Sequence, residues 1–210
     1  MRIAIFGAEE GMGRALAERA LAAGHAVNTH ASEPRYYPIN RLEYDQLTVI
    51  EGDTFDVRAV EGIVRNADVV CSAIGHGANG PPGVTPSDGT ANVLGAMDQY
   101  LVPRIVTATA AGIGESGEYA GLGSRLRGLF DRERFADLTR QERLVRESDR
   151  EWVIVRPTRL IDGPETGEYR VGPDIETGLR SSVSRADLAA FMLEAATEDT
   201  YRGRAVTIAD

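Results

Sequence analysis

Residues 3–13 read IAIFGAEEGMG: a short apolar run, glycines at positions 7, 11 and 13, and then a helical stretch over Arg14–Ala23. Strand, glycine turn and helix in immediate succession constrain this chain more than any other segment. Gly7 lets the chain leave the strand in a tight turn, Gly11 lets backbone approach a ligand, and Gly13 lets the helix pack close to the sheet. The helix N-terminus, with Ala8 and Met12 beside it, then offers free N–H groups and the positive end of a dipole to a pyrophosphate. The same pattern also serves as a plain strand–helix turn, so the rest of the chain has to decide between the two.

The rest of the chain alternates. Strands are expected at Arg2–Phe6, Ala26–His30, Thr48–Glu51, Val69–Ala73, Arg104–Thr109 and Trp152–Arg156, with a last one near Ala205–Ile208. Helices are expected at Gly13–Ala23, Val57–Val64, Gly89–Tyr100, Arg134–Ser148 and Ser184–Ala196. Alternation of this kind predicts an α/β fold of one domain over residues 1–210, a doubly wound and mostly parallel sheet joined by right-handed crossovers. Ligands of such sheets bind at the C-terminal ends of the strands. Two loops, His76–Pro86 and Gly112–Gly123, follow strand ends and read as a substrate lid.

A chain of 210 residues can bury one good core and is too short for two large domains. A formal net charge of −9 argues against binding to nucleic acid or to anionic lipid. No apolar run is long enough for a membrane span, and a strand that begins at once leaves no room for a signal peptide. The single cysteine, Cys71, lies in an apolar strand and reads as a buried thiol of a reducing, cytoplasmic compartment. All 23 basic residues are arginine. High GC content or adaptation to salt would explain that, and either way no lysine exists to form a Schiff base or to pair with a tyrosine.

The end of the second strand selects between the two nicotinamide dinucleotides, because an acid there holds the ribose 2′-hydroxyl and repels a 2′-phosphate. Ser32 follows the strand and Arg35 lies three residues on, with Glu33 between them. Hydroxyl and guanidinium both bind phosphate, which favours NADP, with NAD as the alternative. Asp53, next to Thr54, either accepts from the adenine amino group or closes an Asx turn. Ala73, Ile74 and Gly75 are small or apolar where a cofactor would lie against the sheet. Thr109 is the hydroxyl placed to meet a nicotinamide or substrate, and otherwise is an ordinary β-branched strand residue. Asp137 and Glu142 read as the solvated face of a charged helix. His25, His30 and His76 lack ligand spacing, so no metal site is expected. Arg159 either reaches an anionic substrate or sits on the surface.

In their order, IFGA…GMGRALAERALAAGHAV, VIEGDTFD, ADVVCSAIG, SDGTANVLGAM and RIVTATAAGIG resemble the atypical short-chain dehydrogenase/reductase superfamily. The stretch from Leu144 to Pro157, with Ile161–Val171, is similar to the flavin reductase/biliverdin-IXβ reductase branch and its NmrA-like relatives. The resemblance implies a Rossmann fold, NADP, and reduction of a flavin or similar planar conjugated small molecule. It also implies that the Arg156-Pro157-Thr158 turn and Leu160 border the nicotinamide, within a substrate-side segment at about 157–183. Three departures stand out. Glu9 and Glu10 replace the threonine and glycine that face the phosphates, and they should repel them. Ala110 replaces a hydroxyl after Thr109. Tyr119 has Gly123 four residues on, so the Tyr-x-x-x-Lys proton relay of sugar epimerases is unavailable. The departures at Glu9, Glu10 and Ala110 favour an alternative: a non-catalytic, redox-sensing NAD(P)-binding regulator of the NmrA-like kind acting through a protein partner.

Overall fold

Strand β1 (Arg2–Phe6) alternates between two cores: Ile3 and Ile5 face one helical layer, Ala4 and Phe6 the other. A strand apolar on both faces is stable only when covered on both sides, which makes β1 the centre of a three-layer stack. The computed structural model describes residues 1–40, 42–75, 84–113, 132–173, 175–178 and 180–210. After β1 come α1 (Gly11–Ala22), β2 (Ala26–Ala31), a 3-10 turn at Pro34–Tyr36, β3 (Leu47–Glu51), α2 (Val57–Val64) and β4 (Val69–Ser72). There follow α3 (Pro86–Tyr100), β5 (Arg104–Ala108), α4 (Arg132–Glu147) and β6 (Glu151–Pro157). Three short strands, β7 (Arg159–Ile161), β8 (Arg170–Gly172) and β9 (Ser182–Ser184), precede α5 (Arg185–Thr197) and β10 (Arg204–Ala209).

Among the described residues the main sheet has eight strands, in the order β3-β2-β1-β4-β5-β6-β10-β8. Neighbours are parallel except β8, which runs antiparallel to β10. β7 and β9 form a separate parallel pair. Helices α1 and α5 pack on one face through Leu16, Leu188 and Phe191; α2, α3 and α4 pack on the other through Ile63, Met97 and Val145. The result is the expected single-domain, doubly wound fold. Strand order reverses between β1 and β4, and the register Phe6↔Ser72 brings their C-terminal ends level. That is where an open α/β sheet leaves its ligand crevice.

Local chemistry explains most element ends. Asp56 caps α2 by accepting from Arg58 N and Ala59 N. A capping box between Thr85 and Asp88, with Pro86 in the first turn, starts α3 at Pro86 rather than at Gly89 as predicted. Cys71 is fully buried, and burial pushes its thiol up to about 12, so it is inert. No helix among the described residues is long and apolar enough to cross a membrane. Of the two expected loops, residues 76–83 and 114–123, with His76 and Tyr119, lie outside the described residues.

Candidate functional site

The glycine turn is built as its spacing suggests. Gly7 (φ +79°) and Gly11 (φ +57°) both adopt backbone that favours glycine. A Cβ on Gly13 would come within 2.1 Å of the Gly7 carbonyl oxygen, and one on Gly7 within 2.7 Å of the Ala73 carbonyl oxygen. Gly7, Gly13 and Ala73 therefore close the packing of α1 onto β1 and β4. Above Gly11 the space is open apart from Arg185. Glu10 occupies the N-cap position of α1 but makes no side-chain cap. The first-turn amides of Gly11, Met12 and Gly13 thus receive nothing from it, which fits a pyrophosphate. Ala8 is fully buried beneath the turn, and its carbonyl accepts from the Tyr37 hydroxyl at 3.0 Å.

Glu9 does not stand over these amides. Its carboxylate reaches sideways to accept from Ser32 N at 3.3 Å, so it lies at the end of β2. Arg35 is exposed there, paired with Glu33 at 2.9 Å and stacked 4.8 Å from the centre of the Tyr36 ring. Asp53 closes its Asx turn, accepting from Phe55 N and Asp56 N through Oδ1. Thr54 is buried against Gly89 of α3. His30 is buried beside Phe6, and desolvation holds its pKa below the usual imidazole value. At the end of β4, Ile74 is buried while Ala73 and Gly75 are half-buried along the crevice.

At the ends of β5 and β6 the structure brings together residues far apart in the chain. Thr109 N donates to Val155 O, and Ala111 N donates to Pro157 O. Thr109 is thereby laid beside the Arg156-Pro157-Thr158 turn. The Thr109 hydroxyl donates to Glu142 Oε1 at 2.8 Å. Arg156 grips the same carboxylate with Nε on Oε1 at 2.9 Å and Nη2 on Oε2 at 2.6 Å. This corrects the expected solvated face of α4. Glu142 is 4% exposed and Asp137 8%, the latter accepting from Ser87 N and its hydroxyl across the α3–α4 contact. Gln141, fully buried, donates to Thr90 Oγ1. Polar side chains cover this helix face because each has a partner waiting on α3 or β6. The signal was Arg156 itself: a charge at the end of the apolar run WVIV, in a strand covered on both sides, demands a buried carboxylate.

Beyond β6, Pro157 is buried and Thr158 N donates to Ile208 O at 3.1 Å. Leu160 pairs with Val183 between β7 and β9 and packs on the core, whereas Arg159 is exposed. Asp187 on α5 holds the following segment by accepting from Thr166 N, Thr166 Oγ1 and Gly167 N, and from its own cap Ser184. Burial alone would raise its pKa; the hydrogen bonds outweigh that and lower it.

A doubly wound sheet with this glycine turn at its switch point defines a Rossmann-type fold with a dinucleotide-binding turn. The family model described as NAD(P)H-binding matches residues 7–199, and the chain belongs to that family. Its cofactor is accordingly NAD(P)H. Similar solved structures include ChuY, an anaerobillin reductase from Escherichia coli, at 24% identity and TM-score 0.83, covering 99% of this chain and 96% of that one. A short-chain dehydrogenase/reductase from Veillonella parvula in complex with NADP matches at 19% identity and TM-score 0.83, covering 100% and 94%. The oxidoreductase ylbE from Lactococcus lactis matches at 15% identity and TM-score 0.79, covering 99% and 90%. At these identities the likeness is one of fold.

Proposed function

We propose that the protein is an NADPH-dependent reductase that delivers hydride to a planar conjugated small molecule, such as a flavin or a linear tetrapyrrole. The observation that carries this reading is the fate of the Thr109 proton. The Thr109 hydroxyl already donates to Glu142, and Arg156 holds that carboxylate as an ion pair. Thr109 can therefore accept a hydrogen bond but is a poor source of a proton for a developing alkoxide. The chain has no lysine for a tyrosine–lysine relay. A conjugated acceptor needs neither, because it spreads the incoming charge over its own ring system.

Bound NADPH would supply the hydride. The chain's residues orient the two rings: Pro157, Thr158 and Leu160 border the crevice on one side, Thr109 on another, and Ala73, Ile74 and Gly75 form the wall at β4. Arg35 and Ser32 are the residues suited to the 2′-phosphate. The substrate-side segment at about 157–183, tied to α5 through Asp187, closes the acceptor side. Likeness of fold to an anaerobillin reductase agrees with this acceptor class.

NADPH oxidation measured with FMN, biliverdin, a quinone, a simple ketone and a nucleotide sugar tests the reading. Turnover is expected with the conjugated acceptors alone. Thr109→Val should lower it modestly, since positioning supplies most of the rate. Ketone reduction, or loss of all turnover in Thr109→Val, would overturn the mechanism. Tight cofactor binding without turnover on any acceptor would mark a redox-sensing regulator instead.

A further inference from the structure

Of the two acids in the glycine turn, Glu9 turns aside to Ser32 N, but Glu10 stands at the N-cap of α1, and Arg14 in the first helical turn is not free to offset it. Arg14 is paired with Glu18 along α1, and Arg19 with Glu165. Arg35 belongs to the far end of β2. Among the described residues, one other guanidinium reaches the turn. Arg185, the first residue of α5, has its Nε 3.8 Å from where a Cβ on Gly11 would stand. It comes from the opposite end of the chain because α1 and α5 pack side by side on the same face of the sheet.

Arg185 has a partner that is easily exchanged. Nη1 lies 2.6 Å from Asp162 Oδ1, and the Asp162 side chain is 95% exposed. An exposed pair of this kind contributes little, whereas a phosphate accepts the planar fork of a guanidinium at two points. Asp162 itself sits just ahead of the segment that Asp187 anchors through Thr166 and Gly167.

We infer that Arg185 is a ligand of the cofactor's bridging phosphates, and that Asp162 holds it in place until the cofactor arrives. Binding exchanges the Asp162 carboxylate for the pyrophosphate. Arg185 supplies from α5 a cation beside the turn, where Glu10 stands at the N-cap of α1. The exchange also releases the Asp162 end of the substrate-side segment while Asp187 keeps the other end fixed.

The test is a set of binding titrations of NADPH, NADH and ADP-ribose to the full chain, for wild type, Arg185→Ala, Arg185→Gln and Asp162→Asn, each with a thermal melt without ligand. Loss of a charge-assisted contact to the bridge should weaken all three ligands by about tenfold or more in both Arg185 variants. The ratio of NADPH to NADH affinity should stay as in wild type, because both carry the same bridge. Asp162→Asn frees the guanidinium and should tighten all three several-fold, with its melting temperature little changed. Adenosine, which has no bridge, should bind every variant alike. Arg185 variants that bind within twofold of wild type would overturn the inference, as would a loss confined to NADPH or an Asp162→Asn variant with unchanged affinity. If an Arg185 variant fails to fold, the Asp162→Asn arm still decides. Wild-type protein that binds neither dinucleotide would overturn the cofactor assignment itself, so that failure is told apart before any variant is compared.

Discussion

Replacing Glu142 or Arg156 separately should be far more damaging than replacing them together. Their side chains are 5% and 3% exposed, and the pair is joined by two short hydrogen bonds. Glu142→Leu removes the carboxylate that the buried Arg156 guanidinium grips, and Arg156→Met leaves a buried carboxylate. Breaking a buried pair from one side costs about 3–5 kcal/mol, while replacing both partners by apolar residues of similar volume is often close to neutral. In a domain of this size each single change should therefore lower the melting temperature by about 6–20 °C. The double variant also leaves the Thr109 hydroxyl without its Glu142 acceptor, a loss of about 1 kcal/mol that Thr109→Val should remove. The coupling energy from the cycle should be at least about 2 kcal/mol in favour of the double variant. Urea unfolding followed by circular dichroism gives the four stabilities, provided the slope with denaturant stays constant. Single variants that lose less than about 1 kcal/mol, or effects that add to within about 0.5 kcal/mol, would show that the pair is not desolvated and coupled as its geometry demands.

Gly13→Ala puts a methyl 2.1 Å from the Gly7 carbonyl, so it should destabilise the fold by about 1–3 kcal/mol and abolish cofactor binding; unchanged binding in a titration would refute the close packing of α1 on β1. Arg35→Ala should weaken NADPH more than NADH, and equal losses would remove Arg35 from the 2′-phosphate. Glu9→Gln removes a carboxylate from the end of β2, and should raise NADPH affinity about fivefold, near 1 kcal/mol for unit charges about 4 Å apart in water, with the gain shrinking in molar salt. Asp187 has its pKa lowered in the folded protein, so its stabilisation is complete above about pH 4 and is lost as pH falls through the folded value. Asp187→Asn should be less stable at neutral pH and lose less on acidification than wild type does, which melts between pH 7 and pH 2.5 would read.

Features carried by neighbours in sequence were legible without coordinates. The glycine turn is set by backbone geometry within seven residues, so the tight turn at Gly7 and the close packing at Gly13 were legible there, as the φ angle and the close contacts show. Apolar alternation located the main strands and the helices to within a few residues. Where an end differs, as at Pro86, the cap formed by Thr85 and Asp88 starts the helix ahead of its apolar pattern. The three-residue strands β7, β8 and β9 had no such pattern, because so short a strand carries almost no periodicity and exists only through its pairing partner.

What the sequence by itself determined about this protein is the architecture and the end of the sheet that carries the glycine turn, since hydrophobic period and glycine placement act over one or two turns of chain. Tertiary structure alone decided the chemistry around that site. Glu142 and Asp137 look like solvent-facing acids on a charged helix until β6 and α3 supply Arg156 and Ser87. Glu9 looks like an obstacle to the pyrophosphate until its carboxylate is seen turned toward Ser32. Arg185 reaches Gly11 only because the sheet places α5 against α1. Whether a charged side chain is solvated, paired or held ready depends on partners distant in sequence and close in space, and a local pattern carries no record of them.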